Sequence, residues 1–83
     1  MRIEKLINGQ AAICAMLCYD DKRKIIAHEI TIHDLLDYSD PRGEASMFGV
    51  LMCGKYYTIT IKNRVVEKIE RVSKQTALKY ALA

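Results

Sequence analysis

"RVVEKIERVSKQTALKYALA", residues 64–83, decides which fold the chain adopts. At about 100° per residue, Val65, Val66, Ile69, Val72, Ser73, Thr76, Ala77 and Tyr80 gather into one stripe, whereas a period of two mixes valine with glutamate and lysine on both faces. The count favours a helix, with Asn63 as its N-cap. The alternative is a strand ending near Val72, followed by a shorter helix capped by Ser73.

Working back from that stretch, "SMFGVLMCGKYYTITIKN" reads as a hairpin turning at Gly54-Lys55. Tyr57, Ile59 and Ile61 fall to one side, with Tyr56, Thr58, Thr60 and Lys62 on the other, as in a half-buried strand. Before it, "DPRGE" is a turn, with Pro41 fixing φ and Gly43 free to adopt a left-handed conformation. Thr31 to Asp34 has the spacing of a capping box, which predicts a short helix "IHDLLDYS".

The N-terminal third predicts three antiparallel strands near 2–7, 10–19 and 23–32. Asn8-Gly9 suits a tight hairpin, and Asp20-Asp21-Lys22-Arg23 is a polar turn. "QAAICAMLC" is rich in good helix formers, so as a strand it must be central and covered on both faces. Together these elements predict an α+β fold. It has a mainly antiparallel sheet of about five strands, a short connecting helix after the third strand, and a C-terminal helix across one sheet face. A small β-barrel with a terminal helix is the alternative if residues 64–72 are a strand.

The chain's 83 residues are 51% apolar and 28% charged, the profile of one globular domain with a packed core. No apolar run approaches the roughly 20 residues that span a bilayer, and "MRIEKLING" lacks the long apolar stretch of a signal peptide. The cytoplasm is therefore the default compartment, with no membrane partner expected. Cys14, Cys18 and Cys53 are an odd number without metal-site spacing and read as reduced, mostly buried thiols.

"AHEITIHD", residues 27–34, is the nearest approach to a catalytic or metal motif. A zinc helix needs two histidines four residues apart so that both imidazoles share a face. His28 and His33 are five apart, so they diverge by about 140° on a helix and point to opposite sides of a strand. As a strand, Ile26, His28, Ile30 and Ile32 share a face, which predicts a core His28, and His33 enters the helix that follows. No nucleophile–base pair can be assembled, and the four glycines are too dispersed for a phosphate loop. The expectation is a non-enzyme with no metal and no cofactor.

Surfaces remain. Residues 1–40 carry five basic against seven acidic residues, and residues 41–83 carry eight against three. On a C-terminal helix, Arg64, Lys68, Arg71, Gln75 and Lys79 form one basic ridge, suited to phosphates or an acidic protein surface, although Glu67 and Glu70 nearby fit ordinary salt pairs. Leu78 and Leu82 lie off the apolar stripe, and Met47, Phe48, Leu51 and Met52 form a soft apolar stretch; both point to a partner unless they pack on each other. Tyr56 with Thr58, Thr60 and Lys62 offers a thin stacking surface. The leading functional expectation is a small interaction module acting by protein–protein contact, with a homodimer as one form. Nucleic-acid binding through the basic ridge comes second, and capture of a small anionic ligand such as a nucleotide by Arg42 comes third.

Overall fold

A computed structural model describes residues 13–82. The residues form an α+β unit whose five antiparallel strands are β1 (Ile13–Tyr19), β2 (Ile25–Thr31), β3 (Ser46–Met52), β4 (Lys55–Lys62) and β5 (Val65–Arg71). Between β2 and β3 lies α1 (Ile32–Leu35), continued by a 3-10 turn over Leu36–Tyr38; α2 (Lys74–Lys79) follows β5. The order across the sheet is β2-β1-β3-β4-β5, and the sheet is open rather than closed into a barrel. The hairpin expected at Asn8-Gly9 and the strand expected near 2–7 lie outside the described residues.

The decisive stretch resolves into its alternative form. Arg64 belongs to a turn, residues 65–71 are a strand, and Ser73 caps a shorter helix by accepting a hydrogen bond from the Thr76 amide at 3.2 Å. Asn63 is not a helix cap: Asn63 and Arg64 both have positive φ (53° and 59°), the pair of left-handed residues that a tight hairpin needs. Cys53 and Gly54 do the same at φ of 52° and 73°, one residue ahead of the turn that the sequence predicts. Arg64 pays for that geometry with roughly 1 kcal/mol of local strain.

Register explains why β5 resembles a helix. Ile61 pairs with Val66 and Thr60 pairs with Lys68, so Glu67 is the extra residue of a β-bulge. The bulge resets the alternation, and Val66 and Ile69, three apart, face the same side. A spacing of three in the middle of a strand imitates helical periodicity.

One side of the sheet, the front, carries Cys14, Met16, Ile30, Phe48, Val50, Met52, Tyr57, Ile59, Ile61 and Val66, closed over by Ile32 and Leu35 of α1. Thr31 starts that helix as expected, accepting from the Asp34 amide at 3.0 Å. The segment after α1 is tied to the far corner of the sheet: the Gly43 carbonyl accepts from the Asn63 amide at 3.0 Å, and Arg64 reaches Asp37 at 3.1 Å. The connection thus runs from the end of β2 to the β4–β5 turn, crossing the front face as it goes.

On the back, α2 packs on β3 and β4. Beyond it, the chain turns into the sheet. The Gly49 amide donates to the Tyr80 carbonyl at 3.1 Å, the Leu82 amide to the Leu17 carbonyl at 2.9 Å, and the Tyr19 amide to the Leu82 carbonyl at 2.9 Å. β1 and β3 pair directly only at Ala15–Leu51 and Met16–Val50. Where they part, residues 80–82 fill the fork, with Leu82 parallel to Cys18 and packed against the front core.

Candidate interaction surface

The two edges of the sheet are built differently. β5 carries the bulge at Glu67 together with Lys68, Glu70 and Arg71, devices that discourage another strand from adding. β2, "IIAHEIT", pairs with β1 in unbroken register from Thr31 opposite Ile13 to Ile25 opposite Tyr19. It contains no proline, no bulge and one formal charge, Glu29. Among the described residues, no strand pairs with its outer edge.

β2 is largely exposed, as β5 is: every residue from Ile25 to Glu29 is exposed, and only Ile30 is buried. His28 does share a face with Ile26 and Ile30, but it is not in the core. The strand lies at the sheet margin, beyond the reach of the α1 cover, and its alternation cannot bury what the margin leaves open. Ile26 is 44% exposed on the front; Tyr19 and Ile25, opposite each other on the back, are 44% and 38% exposed. With Ile13, these make the β1–β2 hairpin an apolar wing extending past both covering helices. A strand is legible from "KIIAHEITI", but its place at the edge depends on β3 pairing with β1, which no local pattern announces.

The hairpin is held at its tip by Asp20, whose carboxylate accepts from the Lys22 and Lys24 amides at 2.9 and 2.8 Å. Arg23 takes the left-handed position, at φ 60°. Tyr19, Asp20, Asp21 and Arg23 border a depression there. Because the Asp20 carboxylate is committed to the turn, the depression presents no assembled acid–base pair. At the other end of β2, His33 and Asp34 are exposed in the first turn of α1.

The basic ridge does not form. Arg64 is in the β4–β5 turn, paired with Asp37. Lys68 and Arg71 lie on opposite sides of β5, opposite Thr60 and Tyr57 respectively, and Lys68 pairs with Glu70 at 3.3 Å. Lys79 alone of the four is on the C-terminal helix, at its last turn, with Gln75 upstream. A strand reverses side at each step, so residues that would share a helical ridge are dispersed. Arg42 folds back on Asp40, with Nε and a terminal nitrogen both 3.3 Å from its carboxylate. Leu78 is half-buried and Leu82 is inserted in the sheet; Phe48 and Met52 are core, whereas Met47 is exposed. Tyr56 is half-buried opposite Leu51, and its neighbour Thr58 is buried on the back face, so the middle of the stacking surface is inaccessible.

The thiols, expected to be mostly buried, separate into three environments: Cys14 is buried, Cys18 intermediate and Cys53 exposed on its hairpin turn. Burial pushes the Cys14 thiol up to about 11. The folded state therefore retains a proton that the unfolded chain releases near pH 9. This contribution to stability is complete below about pH 9 and is lost as pH rises through about 11. Thiol labelling at pH 8 is expected to modify Cys53 rapidly and Cys14 only on unfolding. Equal native-state rates at the two would contradict this arrangement.

Among the described residues, no three His, Cys, Asp or Glu side chains come together in a way that could hold a metal ion, and no helix is long and apolar enough to cross a membrane. Neither a protein-family model, nor a curated protein, nor a solved structure matches the chain.

Proposed function

We propose that the protein is a small cytoplasmic interaction module that acts by protein–protein contact, receiving an extended segment along the outer edge of β2. The observation that carries this reading is the contrast between the edges: β5 is bulged and charged, while β2 is straight, apolar and exposed. In strand addition, main-chain hydrogen bonds supply affinity, and alternate side chains supply selectivity. Ile26 and His28 on the front and Ile25 and Ala27 on the back are the groups a guest strand would meet. Three unpaired cysteines suit a reducing compartment. A non-enzymatic role is part of the same reading, supported by the exposed apolar groups of the β1–β2 hairpin. Nucleic-acid binding loses the arrangement that motivated it once the cations are divided between a turn, two sides of a strand and a helix.

Affinity capture from the source cell tests the reading, with wild type compared to Ile26→Lys. A bound protein that wild type retains and Ile26→Lys loses is the expected result. Partners retained equally by both would place the contact elsewhere.

A further inference from the structure

We infer that the β2 edge pairs with the same edge of a second copy of this chain, antiparallel about a two-fold axis at His28. The inference rests on the edge-addition reading above and names its partner. A two-fold axis perpendicular to the sheet maps front onto front, so directly opposite residues must belong to the same face. A residue can therefore oppose its own copy, and the register that overlaps all seven residues of β2 places His28 opposite His28 of the second copy. Ile26 then meets Ile30 twice, once on each side of the axis. On the back, Glu29 meets Ala27 rather than another glutamate, and Ile25 meets Thr31.

Charge supports the same direction. Exposed Lys22, Arg23 and Lys24 precede β2 and outnumber Asp20 and Asp21 of the same turn by one, and exposed Asp34 follows β2, Asp37 being already paired with Arg64. In antiparallel pairing the basic approach of one copy lies beside the acidic exit of the other, at both ends of the interface. Parallel pairing would set like charges together. Ile30 is already buried in its own core, so an incoming Ile26 extends that core across the axis instead of forming an isolated contact.

The test uses the full chain from about 1 μM to about 1 mM, in light scattering and amide exchange. Wild type is compared with Ile26→Lys on one edge and Val65→Lys on the other. Both sites are exposed, at 44% and 62%, so neither lysine enters the core. Wild type and Val65→Lys are expected to pass from monomer to dimer together. Ile26→Lys should dimerise at least about tenfold more weakly, because one substitution is felt twice across a two-fold axis. Protection on dimerisation should rise in residues 25–31. A wild type that stays monomeric throughout, or an Ile26→Lys protein that dimerises like it, overturns the self-pairing. If monomeric wild type still retains a partner that Ile26→Lys loses, the edge reading survives and only the identity of the guest is wrong.

Discussion

Replacing Gly49 with alanine is expected to unseat the C-terminal segment. A Cβ at this position would project from β3 into the backbone of α2, inside contact distance of the Ala77 carbonyl oxygen and 2.8 Å from its carbon. Both sides of that collision are main chain, so no rotamer change relieves it, and the helix has to move outward. Movement strains the Gly49–Tyr80 hydrogen bond, and with it the two bonds by which Leu82 joins β1. Buried Ala77 loses its packing, and Leu82 withdraws from the core cluster. Three hydrogen bonds at about 1 kcal/mol each and partial loss of apolar burial give an expected destabilisation of about 2–4 kcal/mol. Chemical denaturation measures the total; amide exchange at Tyr19, Gly49 and Leu82 should rise well before global unfolding. Unchanged exchange at these three amides would show that α2 does not rest on β3 as described.

The second large effect is expected at Leu35. Its side chain has no exposed surface and closes the front core from α1, near the start of the connection between the two halves of the sheet. Leu35→Ala leaves a cavity under a helix of four residues, an element too short to be stable without its packing. A loss of about 3 kcal/mol is expected, against a total for a domain this size of about 4–12 kcal/mol. Leu36→Ala, at a partly buried neighbour, should cost roughly half as much and serves as the comparison. A urea midpoint for Leu35→Ala equal to that for Leu36→Ala would contradict the placement of Leu35 as the central cover.

Particular residues show why some of this architecture is legible in sequence and some is not. The β3–β4 hairpin is legible because Tyr57, Ile59 and Ile61 alternate without interruption, and all three are buried. Thr31 announces α1 because capping depends on groups three residues apart. β5 is hidden by its own bulge: inserting Glu67 brings Val66 and Ile69 to one side, and the nearby Val65 and Val72 complete a stripe that also fits a helix. Its turn is disguised as well, since asparagine serves both helix caps and left-handed hairpin positions.

The candidate surface is less legible for a different reason. Alternation reports which residues share a face of β2, and Ile26, His28 and Ile30 do so. Whether that face is covered depends on how far α1 extends and on which strand occupies the other side of β1. Both are consequences of long-range pairing, and so the exposure of His28 and Ile26 emerges only with the assembled sheet. The basic ridge fails by the same route, because a charge pattern has a geometry only after its backbone has one.

The fork between β1 and β3 carries a consequence for the order of assembly. Synthesis delivers all five strands before residues 80–82, yet the gap beside Leu17 and Tyr19 is closed only by those residues. A nascent chain exposed through β5 therefore holds its two inner strands together at Ala15–Leu51 and Met16–Val50 alone, with unpaired backbone open to competing chains. Cys18 to Leu82 is the joint of greatest sequence separation among the described pairings, so its closure carries the largest loop entropy of these and belongs late in folding. Until residues 80–82 dock, the described sheet has an additional unpaired edge in its middle, open to competing strands.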